Sequence, residues 1–160
     1  MHLTISELVT VVKRLEGQGL SPRQCRYLET FQVFMPRGRT VGGVRLYDEA
    51  DVALACLIVQ LRQQDVSMWI VKGILVHLGA TLRDVFATKM DRAAIVEGAR
   101  LLIVKRTSAP ASRWTFDLRT IQQRATKAVR ALRAREPEIT WAGWHTIPAH
   151  RAAQLLEVTA

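Results

Sequence analysis

The spacing of apolar and polar residues divides the first half of the chain into four helices. Leu8, Val11, Val12 and Leu15 recur at the helical period. Thr4 and Glu7 precede them at the spacing of a reciprocal N-terminal cap, and Gly17 and Gly19 close the segment. Ser21-Pro22-Arg23-Gln24 opens a second helix. The serine caps it, the proline sits where a missing N–H costs nothing, and Gln24 reaches back to the cap. This helix is predicted to run to about Phe31. Pro36, Gly38, Gly42 and Gly43 then break the helical period ahead of Val44-Arg45-Leu46-Tyr47, which is the pattern of a short β-hairpin. Asp48 caps a third helix through about Gln64, and Ser67 caps a fourth that is predicted to stop at Gly79.

The second half is patterned less sharply. Thr81 and Asp84 open a further helix, and Asp91 caps its continuation toward Val104. Leu101-Leu102-Ile103-Val104 reads equally well as a buried strand, because four consecutive apolar residues carry no period. Leu118, Ile121, Ala125, Ala128, Val129 and Leu132 fall within one helical arc of about 100°. Arg119, Arg124, Lys127, Arg130, Arg133 and Arg135 occupy the other side. A last helix is predicted after Pro148, carrying Ala152, Leu155 and Leu156. Breaks at Gly79-Ala80 and at Thr107–Ser112 divide the chain into residues 1–79 and a mostly helical domain over 80–160. The expected class is mainly α with one β-hairpin.

Charge changes this picture. The 160 residues hold 23 Lys and Arg against 14 Asp and Glu, a net +9. Residues 81–160 carry 14 of those bases and 7 acids, and between Arg100 and Arg135 ten bases face the single acid Asp117. Such an excess suits a polyanion, nucleic acid before an acidic membrane surface. No apolar run approaches the roughly 18 residues of a membrane span, and Met1-His2-Leu3-Thr4 does not read as a signal peptide. A cytoplasmic, nucleoid-associated protein without a membrane partner is the expectation. Cys25 and Cys56 make neither a disulfide framework nor a zinc site and read as small buried hydrophobes.

The order of parts resembles the winged helix-turn-helix of MerR-family transcriptional regulators. Thr4-Ile5-Ser6-Glu7-Leu8 matches the first helix, and Gly19-Leu20-Ser21-Pro22-Arg23 through Arg26-Tyr27-Leu28-Glu29 the second. Gly43-Val44-Arg45-Leu46-Tyr47 matches the wing, Asp48-Glu49-Ala50-Asp51-Val52 the next helix, and Gln63-Gln64-Asp65-Val66-Ser67-Met68 the entry to the fourth. The resemblance covers about residues 3–78. It implies a winged helix-turn-helix with a β-hairpin wing, a sequence-specific double-stranded DNA partner, a homodimer and contact with RNA polymerase. The DNA contacts it implies are Ser21, Arg23, Gln24, Arg26, Tyr27, Arg45 and Tyr47.

The residue types agree with that implication. Arg23, Gln24 and Arg26 stand at the N-terminal end of the second helix, where the helix dipole and free N–H groups favour phosphate. Arginine pairs bidentately with guanine and glutamine with adenine. Arg37 and Arg39 extend the basic wing, and Lys72 adds a backbone contact. In the basic helix, Arg124, Lys127 and Arg130 are candidates for phosphate contact or for a solvated face. Ser21 and Gln24 also read as caps, and Tyr47 as core packing.

Three departures from the family pattern stand out. The link from Ile5 to Gly19 is long, Cys25 and Leu28 replace a usual leucine and tyrosine, and Leu82–Val104 lacks the heptad of a dimerising helix. Trp69, Trp114, Trp141, Trp144 and His145 leave an aromatic effector pocket as a secondary reading, and His145 and His150 find no partners for a metal. No phosphate loop, nucleophile elbow or paired-carboxylate motif is present, so neither an enzyme nor a cofactor is expected. Two other functions stay open. One is an architectural, phage- or plasmid-type protein that bends or bridges DNA with little sequence preference. The other is a protein-interaction module.

Overall fold

The computed structural model describes residues 2–30, 34, 36–40 and 42–134, and the backbone of 138–141 and 145–148. Helix α1 (Ile5–Glu16) begins at the expected reciprocal cap: the Thr4 N–H donates to Glu7 Oε2 at 2.6 Å, and the Glu7 N–H donates to Thr4 Oγ1. It ends at Gly17, whose φ of 72° is the left-handed conformation that glycine adopts without a Cβ penalty. Helix α2 (Pro22–Thr30) follows the turn through Gly19. The β1 (Gly38–Arg39) and β2 (Arg45–Leu46) hairpin stands where the sequence predicts one, tied to the N-terminus by paired backbone bonds between Leu3 and Tyr47 at 2.8 Å. Helix α3 (Glu49–Gln63) is buried along nearly its whole length, from Ala50 to Leu61, so its apolar residues surround it and it serves as the central column.

Helix α4 (Met68–Ala87) starts at the predicted Ser67 cap but does not stop at Gly79. A mid-helix glycine costs about 1 kcal/mol. Here Leu82, Val85 and Phe86 beyond it are buried and outweigh that cost. The segment opened by Thr81 and Asp84 is thus the end of α4, and the Gly79-Ala80 break falls inside a helix.

The helix expected toward Val104 is instead an antiparallel hairpin, β3 (Arg92–Glu97) and β4 (Arg100–Lys105). Gly98, at φ 60°, makes its two-residue turn, and the β-branched and leucine-rich runs on either side pair from Arg92↔Lys105 to Glu97↔Arg100. Alternation buries Ala94, Val96 and Leu101 on one face. Asp91, expected as a helix cap, faces Arg106 at 2.6 Å. Strand β5 (Thr115–Asp117) adds to β3, giving the order β4-β3-β5. The second half is therefore not wholly helical. Strands β6 (Glu138–Trp141) and β7 (His145–Pro148) form a separate hairpin, and the helix predicted after Pro148 lies outside the described residues.

Helix α5 (Leu118–Ala134) has the predicted amphipathic pattern, and its buried face packs on α3 and α1. Arg124 Nη2 donates to the Leu15 carbonyl at 2.6 Å, near the end of α1, while Arg133 Nη1 donates to Glu7 Oε1 at 2.8 Å, near its start. The two helices therefore run antiparallel. A polar seam joins α5 to α3: Gln122 Nε2 donates to Thr126 Oγ1 at 2.8 Å, and Thr126 Oγ1 donates to Glu49 Oε2 at 2.9 Å. Leu118, Ile121, Ala125 and Val129 belong to the same hydrophobic core as Leu8, Val12, Leu54 and Leu57.

Candidate nucleic-acid interface

Helix α2 buries one side and bares the other. Cys25 and Leu28, three residues apart, are fully buried, whereas Arg23, Gln24, Arg26 and Tyr27 are exposed. An isolated nine-residue helix is marginal in water, so these two anchors and the cap hold α2 in place. The cap is reciprocal: the Ser21 N–H donates to Gln24 Oε1 at 2.7 Å, and the Gln24 N–H donates to Ser21 Oγ at 3.1 Å. Ser21 and Gln24 thus have a structural role that fixes the start of the helix.

The wing residues are more tightly held than a solvated basic loop would be. Arg37 Nε lies 3.3 Å from Asp48 Oδ2, and the Arg37 N–H donates to the Leu46 carbonyl. Arg39 Nη1 donates to the Gly43 carbonyl at 3.2 Å, across the hairpin turn. Arg45 Nε lies 2.7 Å from Glu29 Oε2, so the wing is joined to α2. Tyr47, implied as a DNA contact, is instead fully buried. Its ring meets Phe34 with centroids 5.6 Å apart, and its hydroxyl donates to Glu29 Oε1. Burial, then this bond to Glu29, raises the phenol above its ordinary value. Tyr47 serves the core and not the surface, because the chain turns at the wing's base to pair with Leu3.

Two residues of this region escaped the sequence reading. Glu29 receives both Arg45 and Tyr47, which lie 16 and 18 positions further along, too far for any periodic pattern to link them. Arg83, on α4, has Nη2 2.5 Å from Asp48 Oδ2 and Nε 3.1 Å from Asp51 Oδ1. Asp51 is wholly buried, and burial followed by the nearby Asp48 carboxylate pushes its carboxyl up. Those two aspartates cap α3 reciprocally just after the wing.

The remaining basic candidates are scattered. Lys72, half-buried on α4, places Nζ 5.2 Å from the Trp69 ring centroid. Arg124 is tied to the end of α1: besides its bond to Leu15, Nη1 lies 3.4 Å from Glu16 Oε1, and its side chain remains 41% exposed. Lys127 and Arg130 are exposed on the outer side of α5, and Arg135 lies outside the described residues.

The aromatic cluster is not assembled in one place. Trp69 is 77% exposed, while Trp114 sits under Arg113 and lines a cavity of about 350 Å³ with Val66, Ile70 and Val96. Trp141 and His145 fall on β6 and β7, whose side chains are not described, and Trp144 and His150 lie outside the described residues. Cys25 and Cys56 are buried free thiols, as expected of small hydrophobes. Burial, then Glu29, pushes Cys25 up to about 11. No group of three or more potential metal ligands occurs among the described residues, and no helix among them is long and apolar enough to cross a membrane.

Comparison with known proteins adds one finding. The sequence model described as MerR HTH family regulatory protein matches residues 4–78, a little under half of the chain. The match begins at the cap of α1, takes in α2, the wing and α3, and ends within α4. No curated protein and no solved structure matches the chain.

Proposed function

We propose that this chain, whose residues 4–78 are the helix-turn-helix region of a MerR-family DNA-binding regulator, is a sequence-specific transcriptional regulator of double-stranded DNA and not an enzyme. The observation that carries the reading is the outer side of α2. Arg23, Arg26 and Tyr27 are exposed together on a short helix whose other side is locked into the core. A helix of this kind enters the major groove with its N-terminal turn foremost, and arginine there reads guanine bidentately. Arg39 and Arg45 on the hairpin beside it supply the wing's phosphate contacts, with Arg37 at its base. Ser21 and Gln24 act chiefly as the cap that orients these side chains, and Gln24 Nε2 keeps its donors for a base edge. Lys72, Lys127 and Arg130 add phosphate affinity without sequence information.

The regulator acts as a dimer in the cytoplasm, on an operator with two-fold symmetry, as MerR-family regulators typically do. Contact with RNA polymerase follows from the same family reading. The test is selection of random duplexes by the purified protein, with the recovered sequences re-measured across a salt series. An inverted repeat bound at least about a thousandfold more tightly than random duplex supports the reading. Tight, salt-steep binding without a motif favours an architectural DNA-bending protein. Absence of binding at moderate salt favours a protein-interaction module. Arg23→Ala and Arg26→Ala are expected to lower specific affinity by roughly tenfold to a hundredfold. Arg130→Ala is expected mainly to reduce the salt slope by about one.

A further inference from the structure

An acid beside a DNA-binding surface repels phosphate, so its presence there needs a reason. Glu29 lies in the last turn of α2, directly after the exposed Arg26 and Tyr27 and the buried Leu28. Its two carboxylate oxygens are spent on two different wing residues: Oε1 accepts from the Tyr47 hydroxyl, and Oε2 lies 2.7 Å from Arg45 Nε. The Glu29 side chain is only 10% exposed, while that of Arg45 is 36% exposed. Arg45 Nε is buried and makes no hydrogen bond, so its link to Glu29 is an ion-pair contact, and the solvent-facing part of this side chain lies elsewhere on it. Tyr47 is in turn pinned by backbone bonds to Leu3 and by Phe34. The wing strands pair over only two residues each and cannot hold their own orientation.

We propose that Glu29 is the positioning residue of this interface: from α2 it grips Arg45 and Tyr47, so that helix and wing meet the duplex as one unit with Arg45 aimed at a phosphate. This rests on the DNA-binding reading above for its last clause only; the grip on the wing stands without DNA. The guanidinium is suited to the task because its fork can face a carboxylate on one edge and a phosphate on another.

The sign of the effect separates positioning from mere proximity. If Glu29 were a bystander, Glu29→Gln would remove a negative charge near phosphate and tighten binding. As a positioning residue, its loss weakens specific binding by about tenfold, and the salt slope falls by about one, as it does in Arg45→Ala. In the Arg45→Ala background the same change then has no further weakening effect. A second measurement needs no DNA. Amide hydrogen exchange over residues 37–46 quickens at least tenfold in Glu29→Gln, while α1 and α3 keep wild-type protection. Tighter binding by Glu29→Gln, or unchanged exchange in the wing, overturns the proposal. If the wild-type protein binds no duplex while wing exchange quickens as expected, the DNA reading falls and the grip of Glu29 on the wing is upheld.

Discussion

The strongest consequence of the fold concerns α5, which the sequence places far from the helix-turn-helix region and the structure packs against it. Ile121 is 3% exposed on the face of α5 that meets α3. Ile121→Ala removes three carbons, about 2.4 kcal/mol at roughly 0.8 kcal/mol per buried methylene. The residual cavity adds to this, for a total of about 3–4 kcal/mol. Domains of this kind are stable by about 5–15 kcal/mol, so the change takes a large share of the whole. The assay is native-state amide exchange in α1 and α3, at Val11, Val12, Leu54 and Leu57, alongside a urea melt. If α5 completes the core around those residues, their protection falls at least about a hundredfold, in step with the melt. Wild-type protection in α1 and α3, with loss confined to residues 88–134, would show that α5 does not complete this core and make the region matched by the family a unit that folds alone.

Three further outcomes follow from local geometry. Arg133→Met removes the partner of Glu7 and is expected to cost about 1.5–3 kcal/mol at pH 7. Burial would raise the Glu7 carboxyl, but bonds from Thr4 and Arg133 outweigh it and hold the group below its ordinary 4.5. Its contribution is therefore complete above about pH 4.5 and lost as pH falls through the lowered value, so the gap between urea melts of the two proteins should narrow at acid pH, leaving the part due to the Arg133 bond to the His2 carbonyl. An equal gap at neutral and acid pH would exclude the Glu7–Arg133 pair as the cause. Gly98 turns the β3–β4 hairpin at φ 60° with open space around it, so Gly98→Val should cost about 1–3 kcal/mol from backbone strain alone and Gly98→Asn much less. Equal melting temperatures for the two variants would contradict that. The Cys25 and Cys56 thiols, buried and raised, should resist iodoacetamide at pH 8 in the folded protein and react once urea is added. Prompt labelling of the native protein would contradict their place in the core.

Local signals carried the first half of the chain a long way. Each cap acts within three residues, so Thr4, Ser21, Asp48 and Ser67 could be recognised from their neighbours alone, and each opens a helix at the expected place. The glycines of the wing and the exposed basic side of α2 were legible for the same reason. The end of α4 was not, because Gly79 is a local stop signal that burial of Leu82, Val85 and Phe86 overrides. The helix drawn toward Val104 failed similarly: its apolar run has no period, and pairing with Arg92–Glu97 decides it as a strand.

Packing between elements, in contrast, settles which charged and polar groups are engaged and which stay exposed. On the sequence, Arg124 and Arg133 belong to the same basic face as Lys127 and Arg130. In the fold the first two meet acceptors on α1, and the latter two stay exposed. Tyr47 looked available and is enclosed; Glu29 looked incidental and joins α2 to the β1–β2 hairpin. The physical reason is that periodicity reports which side of an element is apolar, while an ion pair or a hydrogen bond depends on distance between elements. Glu29 and Tyr47, or Glu7 and Arg133, lie 18 and 126 positions apart, and only packing of the helices brings them within reach.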